Sequence, residues 1–344
     1  MRKISSAFLF MMILGFNTTN ATVLTVNNSP NLPGQYSQLD PAIAAANAGD
    51  TIYVQGSSAN YSNATVTKSL TIIGPGAYSQ TPMQLQAKIS IVVINSGVSN
   101  IVIKGLRVFD FLTASNLNGS HDILISNCEI GQYLNLNGCT NTYNIFVRNN
   151  IFRSVNSVNI GMSVVTATSG CYNFVFENNI FNGNLTDFNL TNTLIQHNIF
   201  ISSNSNAFAN PTSNLIINNN IFYNTNPSAN TFACIFNNNI TYNSGTTYPA
   251  LGGSNLDNAD PLFVNVPNNN FSSTYNYNLQ ASSPGVNAAS DGSDIGFYGG
   301  AGYVTLTGEV YNMPVIRKMD IQNTNVPQNG NVNVKVKSTR SRTN

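Results

Sequence analysis

Asn149-Asn150-Ile151-Phe152 is the stretch that decides the fold, because copies of it recur along the chain. The other copies, of which the first two are weaker, are Gly105-Leu106-Arg107-Val108, Asn127-Cys128-Glu129-Ile130, Asn178-Asn179-Ile180-Phe181, His197-Asn198-Ile199-Phe200, Asn219-Asn220-Ile221-Phe222 and Asn238-Asn239-Ile240-Thr241. When all seven copies are taken in chain order, from the one that ends at Val108 to the one that ends at Thr241, their last residues lie 22, 22, 29, 19, 22 and 19 positions apart. A strand-bearing repeat of about 22 residues predicts a solenoid of stacked coils.

A short apolar strand precedes most of the copies and sets which side chains point inward. In Ile145-Phe146-Val147, the first and third residues are predicted to face the interior, because side chains alternate along a strand. Asparagine tolerates the left-handed backbone that a sharp corner requires, and stacked amides can hydrogen-bond from one coil to the next. We therefore predict a structural ladder formed by Asn150, Asn179, Asn198, Asn220 and Asn239.

Two columns of residues flank this corner. Arg148 and Glu177 fall in the column before it, and Arg107 and Glu129 fall in the column after it, so each pair is predicted to meet across adjacent rungs as a surface ion pair. The second column continues as Ile151, Ile180, Ile199, Ile221 and Ile240. These isoleucines either line a second inner wall or form an exposed apolar stripe for a partner.

The N-terminal residues predict export. Arg2 and Lys3 precede an apolar run from Ala7 to Phe16, and Ala21 is a suitable cleavage point, so residues 1–21 are interpreted as a signal peptide. The run is too short to cross a bilayer comfortably, although a retained anchor is the alternative. We expect the mature protein to be secreted or held at the cell envelope, and not to span a membrane.

The composition fits an exported solenoid. Asparagine supplies 59 of the 344 residues, and only 8% of residues are charged. The net charge of +1 gives no electrostatic case for nucleic acid.

Export permits disulfides, and Cys139 and Cys171 precede comparable segments of adjacent coils, so a disulfide between them could link neighbouring rungs. Cys128 and Cys234 fall at core positions and are predicted to be buried thiols.

Both ends of the solenoid are predicted to be closed. Asp40 suits a helix N-cap, Pro41 the first helical position and Gly49 the stop, which predicts a capping helix over Ala42–Ala48. The asparagine repeat ends after Thr241, and a turn-rich closing segment follows. Residues 303–344 differ in composition and are predicted to be a basic strand or tail. They are interpreted either as a solvated strand pair or as a tail that docks on acidic polymers.

Several stretches resemble a known group of proteins. Gly49-Asp50-Thr51-Ile52-Tyr53-Val54, Lys68-Ser69-Leu70-Thr71-Ile72-Ile73-Gly74 and the asparagine-anchor coils resemble secreted right-handed parallel β-helix proteins of the pectin-lyase-like superfamily. The segments Asp260-Pro261-Leu262-Phe263 and Asp294-Ile295-Gly296 resemble the C-terminal closure of bacterial members. The resemblance covers residues 22–302 and implies an all-β fold, a right-handed parallel β-helix solenoid with a short N-terminal capping helix. It further implies polysaccharide as the ligand class and the outer face of one sheet as the site.

The catalytic signatures of that superfamily are not matched by this sequence. The lyases use calcium-binding aspartates with a basic residue, and the hydrolases use a trio of aspartates, but the acids of the coils form no such column. The best local cluster for β-elimination consists of Arg107, Asp110, His121, Asp122 and Glu129. Its plainer interpretation is a loop histidine beside surface ion pairs. Tyr133, Tyr223 and Tyr242 are candidates for stacking on sugar rings.

Three classes of function remain open. We expect a non-catalytic exported β-helix that binds polysaccharide or another component of the cell surface, acting as a monomer. A polysaccharide lyase or glycoside hydrolase with a non-standard site is the first alternative, and calcium enters only there, because we otherwise expect no cofactor. A structural or adhesive rod is the second alternative.

Overall fold

The computed structural model describes residues 21–30, 33–77, 85–113, 117–136, 140–153, 171–186, 189–209, 212–227, 231–244, 252–302, 304–306, 314–322, 325–326 and 328–340. Within these ranges a helix, α1 (Leu39–Ala45), accompanies many short strands. In chain order the first strands are β1 (Val23–Val26), β2 (Thr51–Val54), β3 (Ala64–Val66), β4 (Thr71–Ile73), β5 (Lys88–Ile94), β6 (Ile101–Lys104), β7 (Arg107–Thr113), β8 (His121–Ser126), β9 (Glu129–Ile130), β10 (Tyr133–Asn135), β11 (Tyr143–Arg148), β12 (Ile151–Arg153), β13 (Tyr172–Glu177) and β14 (Ile180–Asn182). The later strands are β15 (Leu185–Thr186), β16 (Asn189–Gln196), β17 (Ile199–Asn206), β18 (Phe208–Ala209), β19 (Thr212–Asn218), β20 (Ile221–Asn226), β21 (Thr231–Phe232), β22 (Ile235–Asn237), β23 (Ile240–Tyr242), β24 (Phe263–Asn265), β25 (Asn276–Leu279), β26 (Pro314–Ile321) and β27 (Val334–Arg340).

Two long sheets make the molecule a parallel β-helix, which confirms the predicted fold class. Sheet A contains β1, β2, β4, β6, β8, β11, β13, β16, β19 and β21 in that spatial order, with β22 also paired to β19. Sheet B contains β3, β5, β7, β9, β12, β14, β17, β20 and β23, with β10 beside β7. The pairings within both sheets are parallel, because each regular coil adds one strand to each sheet before the chain rises to the next rung.

The corner between the two sheets is built by the repeated asparagine pair, and its two residues have different roles. The first residue adopts the left-handed backbone, with φ of 57° at Asn149 and 53° at Asn178. The second residue forms the predicted ladder. Asn198, for example, donates from Nδ2 to Asn220 Oδ1 at 3.0 Å and to the Phe176 carbonyl at 2.9 Å. Its own Oδ1 accepts from the backbone N–H of Asn179 at 2.8 Å, so each buried amide also satisfies the corner of the preceding coil.

The ladder is one rung longer than the repeat predicts. Asn239 donates to Asn255 Oδ1 at 3.0 Å, and Asn255 donates in turn to the Phe236 carbonyl at 2.8 Å. Ser254 takes the left-handed corner position with φ of 57°, and Leu256 pairs in parallel with Ile240. Ser254-Asn255-Leu256 is therefore a last, degenerate copy of the repeat.

The interior is filled by the side chains that alternate inward from both sheets. Ile145 and Val147 of sheet A are fully buried, as the strand pattern predicts. From sheet B, the anchor phenylalanines stack face to face along the axis, with ring centroids 4.7 Å apart for Phe152 and Phe181 and 4.9 Å apart for Phe181 and Phe200. This stack and the asparagine ladder repeat the same contacts on successive rungs, which fixes the register of the coils.

The isoleucine column corrects both sequence interpretations. Its members point away from the interior, because the next residue of each copy is an inward anchor, yet Ile180, Ile199 and Ile221 are fully buried. Residues 257–302, called here the closing segment, double back along the outside of sheet B and cover them. Ile295 and Phe297 of this segment share an apolar cluster with the column. The column is thus neither an inner wall nor a stripe left open for a partner.

The N-terminal cap has the predicted helix with shifted boundaries. The helix begins at Leu39, its N-cap is Gln38, and Ala46 follows its last residue. Asp40 is not the N-cap, because its Oδ1 accepts the backbone N–H of Thr65 at 2.8 Å and ties the helix to β3. Full burial of Leu39 and Ala42 seals the first coil.

Residues 1–20 lie outside the described part of the chain, so the signal peptide stays a prediction. No helix in the described ranges is long and apolar enough to cross a membrane. Beyond the closing segment, β26 and β27 pair antiparallel as a separate two-stranded sheet.

Candidate functional site

The outer face of sheet A carries an apolar column that the closing segment does not cover. The column occupies the outward position of seven successive rungs, and we call it the sheet A stripe: Val102, Leu124, Phe146, Val175, Leu194, Ile216 and Ile235. The exposure of these side chains is greatest at the C-terminal end, with 37% for Ile216 and 42% for Ile235. Six of the seven side chains are at least partly exposed, whereas Val175 is buried, so the stripe is a candidate binding face interrupted at one rung.

A polar column runs along one side of the stripe. Its members are Lys104, Ser126, Arg148, Glu177, Gln196, Asn218 and Asn237. The predicted pair of Arg148 and Glu177 forms, with Nε 3.0 Å from Oε2, and Gln196 donates to the same carboxylate at 2.6 Å. The Arg148 guanidinium also lies 4.8 Å from the centre of the Phe146 ring. These contacts hold the charged groups in fixed positions beside the stripe.

A second polar column lies at the start of the sheet A strands, on the other side of the stripe. Asp122, Asn144 and Asn173 each adopt positive φ, so this turn repeats the geometry of the first corner. Asn173 donates to Asn144 Oδ1 at 2.6 Å, and Asn144 donates to Asp122 Oδ1 at 2.8 Å. Hydrogen bonds from Asn144 and then His121 hold the pKa of the Asp122 carboxyl below its usual value, so it stays ionised near neutral pH.

An aromatic stack stands beside this second ladder. The rings of His121 and Tyr143 lie 4.8 Å apart and nearly parallel, and Tyr143 and Tyr172 follow at 5.2 Å. His121 Nδ1 lies 2.8 Å from Asp122 Oδ2, which fixes the imidazole at one end of the stack. Tyr172 is 43% exposed at the other end of the stack, where its register partner on the next rung is Thr191.

The acid and base candidates of the sequence fall into two separate groups. Arg107 Nε lies 3.1 Å from Glu129 Oε2, and Arg153 Nη1 lies 3.4 Å from the other carboxylate oxygen, on the outer side of sheet B. The Glu129 carboxylate is only 3% exposed between the two arginines. His121 and Asp122 instead begin β8, at the far end from the corner at Asn127, which is about 16 Å away along a strand of this length. Asp110 lies in β7, but its side chain is outside the described part of the structure.

The tyrosine candidates are placed differently from the stack. Tyr223 and Tyr242 are neighbours on sheet B, with ring centroids 5.4 Å apart, and Phe263 of the closing segment lies 5.4 Å from Tyr223. Both rings are half-buried by this packing, and burial raises the pKa of Tyr223. Tyr133 lies in β10, and its side chain is outside the described residues.

The second histidine belongs to the closure rather than to the sheet A face. His197 takes the first position of its repeat and is buried beneath Gly299 and Gly300. Its Nε2 lies 3.1 Å from Asn219 Nδ2 and 3.3 Å from Asp291 Oδ2. Burial lowers the pKa of His197, although the nearby Asp291 and Glu177 carboxylates partly oppose this shift.

The cysteines and acids assemble no metal site in the described residues, where no group of three or more potential ligands could hold an ion. Cys128 is a buried thiol, as predicted, that donates to the Ser126 carbonyl, and burial raises its pKa to about 12. Cys234 is buried as well. Cys139 lies outside the described residues, so its pairing with Cys171 stays a prediction.

Neither the protein-family models nor the curated proteins give a match to this chain.

The sheet A stripe and the stack were missed by the sequence reasoning. The signal was present in Phe174-Val175-Phe176, where the outward position is as apolar as the inward ones. A half-buried strand normally alternates apolar with polar residues, so an apolar outward residue on seven rungs marks this face as a candidate site.

Proposed function

We propose that this protein binds a linear polysaccharide along the outer face of sheet A and does not cleave it. The observation that carries the proposal is the sheet A stripe, which is flanked on both sides by hydrogen-bonded polar columns. The protein is proposed to act after export, at the cell surface or outside the cell, where such polymers are met. The parallel β-helix is also the fold for which the superfamily resemblance implies a polysaccharide ligand.

The repeat of the face suits a repeating polymer. Successive rungs are about 4.8 Å apart. On three of them a stripe residue lies between a polar side chain of the first column and Asp122, Asn144 or Asn173 of the second. A sugar ring has apolar C–H faces and a rim of hydroxyl groups, so the faces can pack on the stripe while amides and charges bind the rim. A polymer lying along the axis would meet apolar and polar groups in a similar order on successive rungs.

Tyr172 is proposed as the principal contact. Its ring is half-exposed, while the stack with Tyr143 and the ladder from Asn173 to Asp122 hold it in one orientation. Binding to a rigid ring requires little loss of side-chain freedom, which favours affinity. Tyrosine also combines an apolar ring with a hydroxyl that can hydrogen-bond to a sugar.

The separation of the acid and base groups is the chemical reason for proposing binding without cleavage. β-Elimination needs a base and a positive group at the same sugar ring. His121 lies at the start of β8, whereas Arg107 is committed to Glu129 on sheet B, so the two do not converge.

The test is retention of the purified chain on immobilised neutral and acidic polysaccharides, with reducing ends and unsaturated products measured in parallel. Tyr172→Ala and Ile216→Asp are each expected to weaken retention by about tenfold, since one good aromatic or apolar contact contributes about 1–1.5 kcal/mol. Val264→Asp is the matched control, because Val264 is exposed to a similar degree on the closing segment.

Each outcome has a distinct meaning. Equal retention of Tyr172→Ala and the unaltered chain would exclude the sheet A face as the site. Product formation that is lost in Arg107→Ala or His121→Ala would establish an enzyme. Absence of both retention and cleavage would favour the structural rod.

A further inference from the structure

The hairpin formed by β26 and β27 carries charge of the opposite sign to the solenoid. Residues 303–344 contain six basic and two acidic side chains, a net charge of +4. Residues 22–302 contain six basic and eleven acidic side chains, a net charge of −5. Such segregation within one chain is typical of a segment that meets a polyanion.

The register of the hairpin places like charges opposite each other. Lys318 lies opposite Lys337, and only one of the neighbouring cross-strand pairs, Asp320 with Lys335, joins opposite charges. Directly opposed like charges destabilise a pair of strands. An anion bound at this lysine pair would reduce that cost, so the register is consistent with a hairpin that binds an anion.

The described valines of β27 offer little buried packing to offset this repulsion. Val334 and Val336 are 46% and 51% exposed, and Lys335 and Lys337 are exposed on the opposite face. An isolated two-stranded hairpin is marginally stable in water. Binding energy from a ligand would therefore contribute directly to the order of this segment.

We propose that this hairpin is an anion-binding ribbon whose lysine face docks on an acidic polysaccharide. Lys335 and Lys337 lie about 7 Å apart along one face, so they present a row of cations to an extended chain of carboxylates or sulfates. The proposal is independent of the sheet A face, although two contacts on one polymer would raise the overall affinity.

Two other polyanions fit the hairpin less well. Single-stranded nucleic acids require aromatic side chains for base stacking, and residues 314–340 contain no aromatic residue. An anionic membrane would draw valine and lysine side chains to the same surface. Here Val334 and Val336 alternate with Lys335 and Lys337, so they face opposite sides and cannot both meet a flat bilayer.

The experiment measures binding of the full chain to polygalacturonic acid at increasing salt, with dextran as the neutral polymer. Lys337→Glu is expected to weaken binding by about five- to tenfold and to flatten the salt dependence. Because this change gives Lys318 an opposite charge across the strands, loss of folding cannot explain the result, and thermal unfolding verifies this. Lys88→Glu makes the same charge change on the solenoid and is expected to alter binding less than twofold.

Several results would overturn the proposal. Equal weakening by Lys337→Glu and Lys88→Glu would show a general charge effect. Stronger binding to a single-stranded oligonucleotide or to phosphatidylserine vesicles than to polygalacturonic acid would assign another partner. Tyr172→Ala is expected to lower binding to the neutral polymer and to leave the salt-dependent part intact, so failure at sheet A and failure at the hairpin are distinguishable.

Discussion

The outer faces of sheets A and B present the same kind of apolar column in two different states. On sheet B the isoleucines are covered by the closing segment of the same chain, and Ile199 and Ile221 are fully buried. On sheet A, Ile216 and Ile235 remain more than one-third exposed beside the polar column that contains Asn218 and Asn237. The chain itself therefore covers one outward apolar column, and the other column is the one for which we propose a ligand.

The covered face is held by the same asparagines that shape the corner. Asn178 donates to the carbonyls of Phe297 and Gly299, both at 2.8 Å, and Asn238 donates to the Ala288 carbonyl at 3.0 Å. Asn219 accepts the backbone N–H of Ser290 through its side chain at 2.9 Å. The first asparagine of these three pairs thus binds the closing segment, while the second forms the inner ladder.

The largest difference is expected when a charge is placed on each column in turn. Ile221→Asp puts a carboxylate beneath the closing segment and is expected to lower the free energy of unfolding by about 4 kcal/mol or more. Ile216→Asp places the same group on the open face and is expected to cost less than about 1 kcal/mol. Chemical denaturation of both variants measures the difference, and similar losses would mean that the two faces are equally covered.

A smaller effect is expected from loosening the closing segment at one glycine. Gly296 has φ of 95°, and a Cβ there would lie 2.6 Å from Ile221 Cδ1. Gly296→Ala is expected to cost about 2–3 kcal/mol, through left-handed strain and displacement of the segment from the column.

Gly292→Ala is the control for that change. Gly292 has a similar φ of 82°, but a Cβ there meets nothing within 4 Å, so it adds strain alone, about 1 kcal/mol. Thermal unfolding measures the stability of the two variants, and binding of a hydrophobic dye measures their exposed apolar surface. Dye binding that rises only in Gly296→Ala would show that the isoleucine column has been uncovered.

Much of the coil architecture was predictable because each rung repeats the same local physics. The ladder from Asn150 to Asn239 and the inward anchors follow from the positions of a corner residue, a buried amide and an alternating strand. Asn255 was missed because its copy of the repeat lacks both the first asparagine and the aromatic anchor. The helix N-cap was placed wrongly because Asp40 is engaged by Thr65, a partner distant in sequence.

The candidate site was less predictable than the coils, because two residues that are close in sequence can be separated by a corner between the two sheets. His121 and Glu129 are only eight positions apart, yet the turn at Asn127 puts them on different sheets. The packing of the closing segment on the isoleucine column was equally unpredictable from sequence. Residues 257–302 show no repeat, so nothing in the sequence indicates which rungs they contact. The proximity of His197 to Asp291, which are separated by 94 positions, arises only through that cover.

His197 is expected to make the stability of the covered face depend on pH. The change in unfolding free energy is expected to be smaller than that caused by the substitutions above. Because burial lowers its pKa in the folded protein, the unfolded chain binds a proton first as the pH falls below 6.5. The stability of the closure is therefore expected to be complete above pH 6.5 and to decrease as the pH drops towards the folded-state pKa. The Asp291 and Glu177 carboxylates oppose the shift and limit its size.

His197→Asn tests this contribution, since asparagine occupies the equivalent position in the neighbouring repeats. Unfolding measured between pH 7 and pH 5 is expected to lose most of its pH dependence in this variant. An unchanged profile would place the titrating group elsewhere. Asp291 does not titrate in this range. Burial raises the pKa of its carboxyl, but hydrogen bonds from Ser293 and the nearby His197 together lower it below 3.8, so the carboxyl stays ionised.

The smallest effect on stability is expected on the open face, where the functional effect should be large. Tyr172→Ala removes one half-exposed ring from the end of a stack, so it is expected to cost about 1 kcal/mol or less in unfolding free energy. The same change is expected to reduce polysaccharide retention about tenfold, whereas Ile221→Asp acts on retention only through unfolding. A variant that keeps its stability but loses its ligand distinguishes a face built for binding from a face built for closure. If Tyr172→Ala instead destabilises the chain as much as Gly296→Ala does, the stack is part of the scaffold and the proposed contact is wrong.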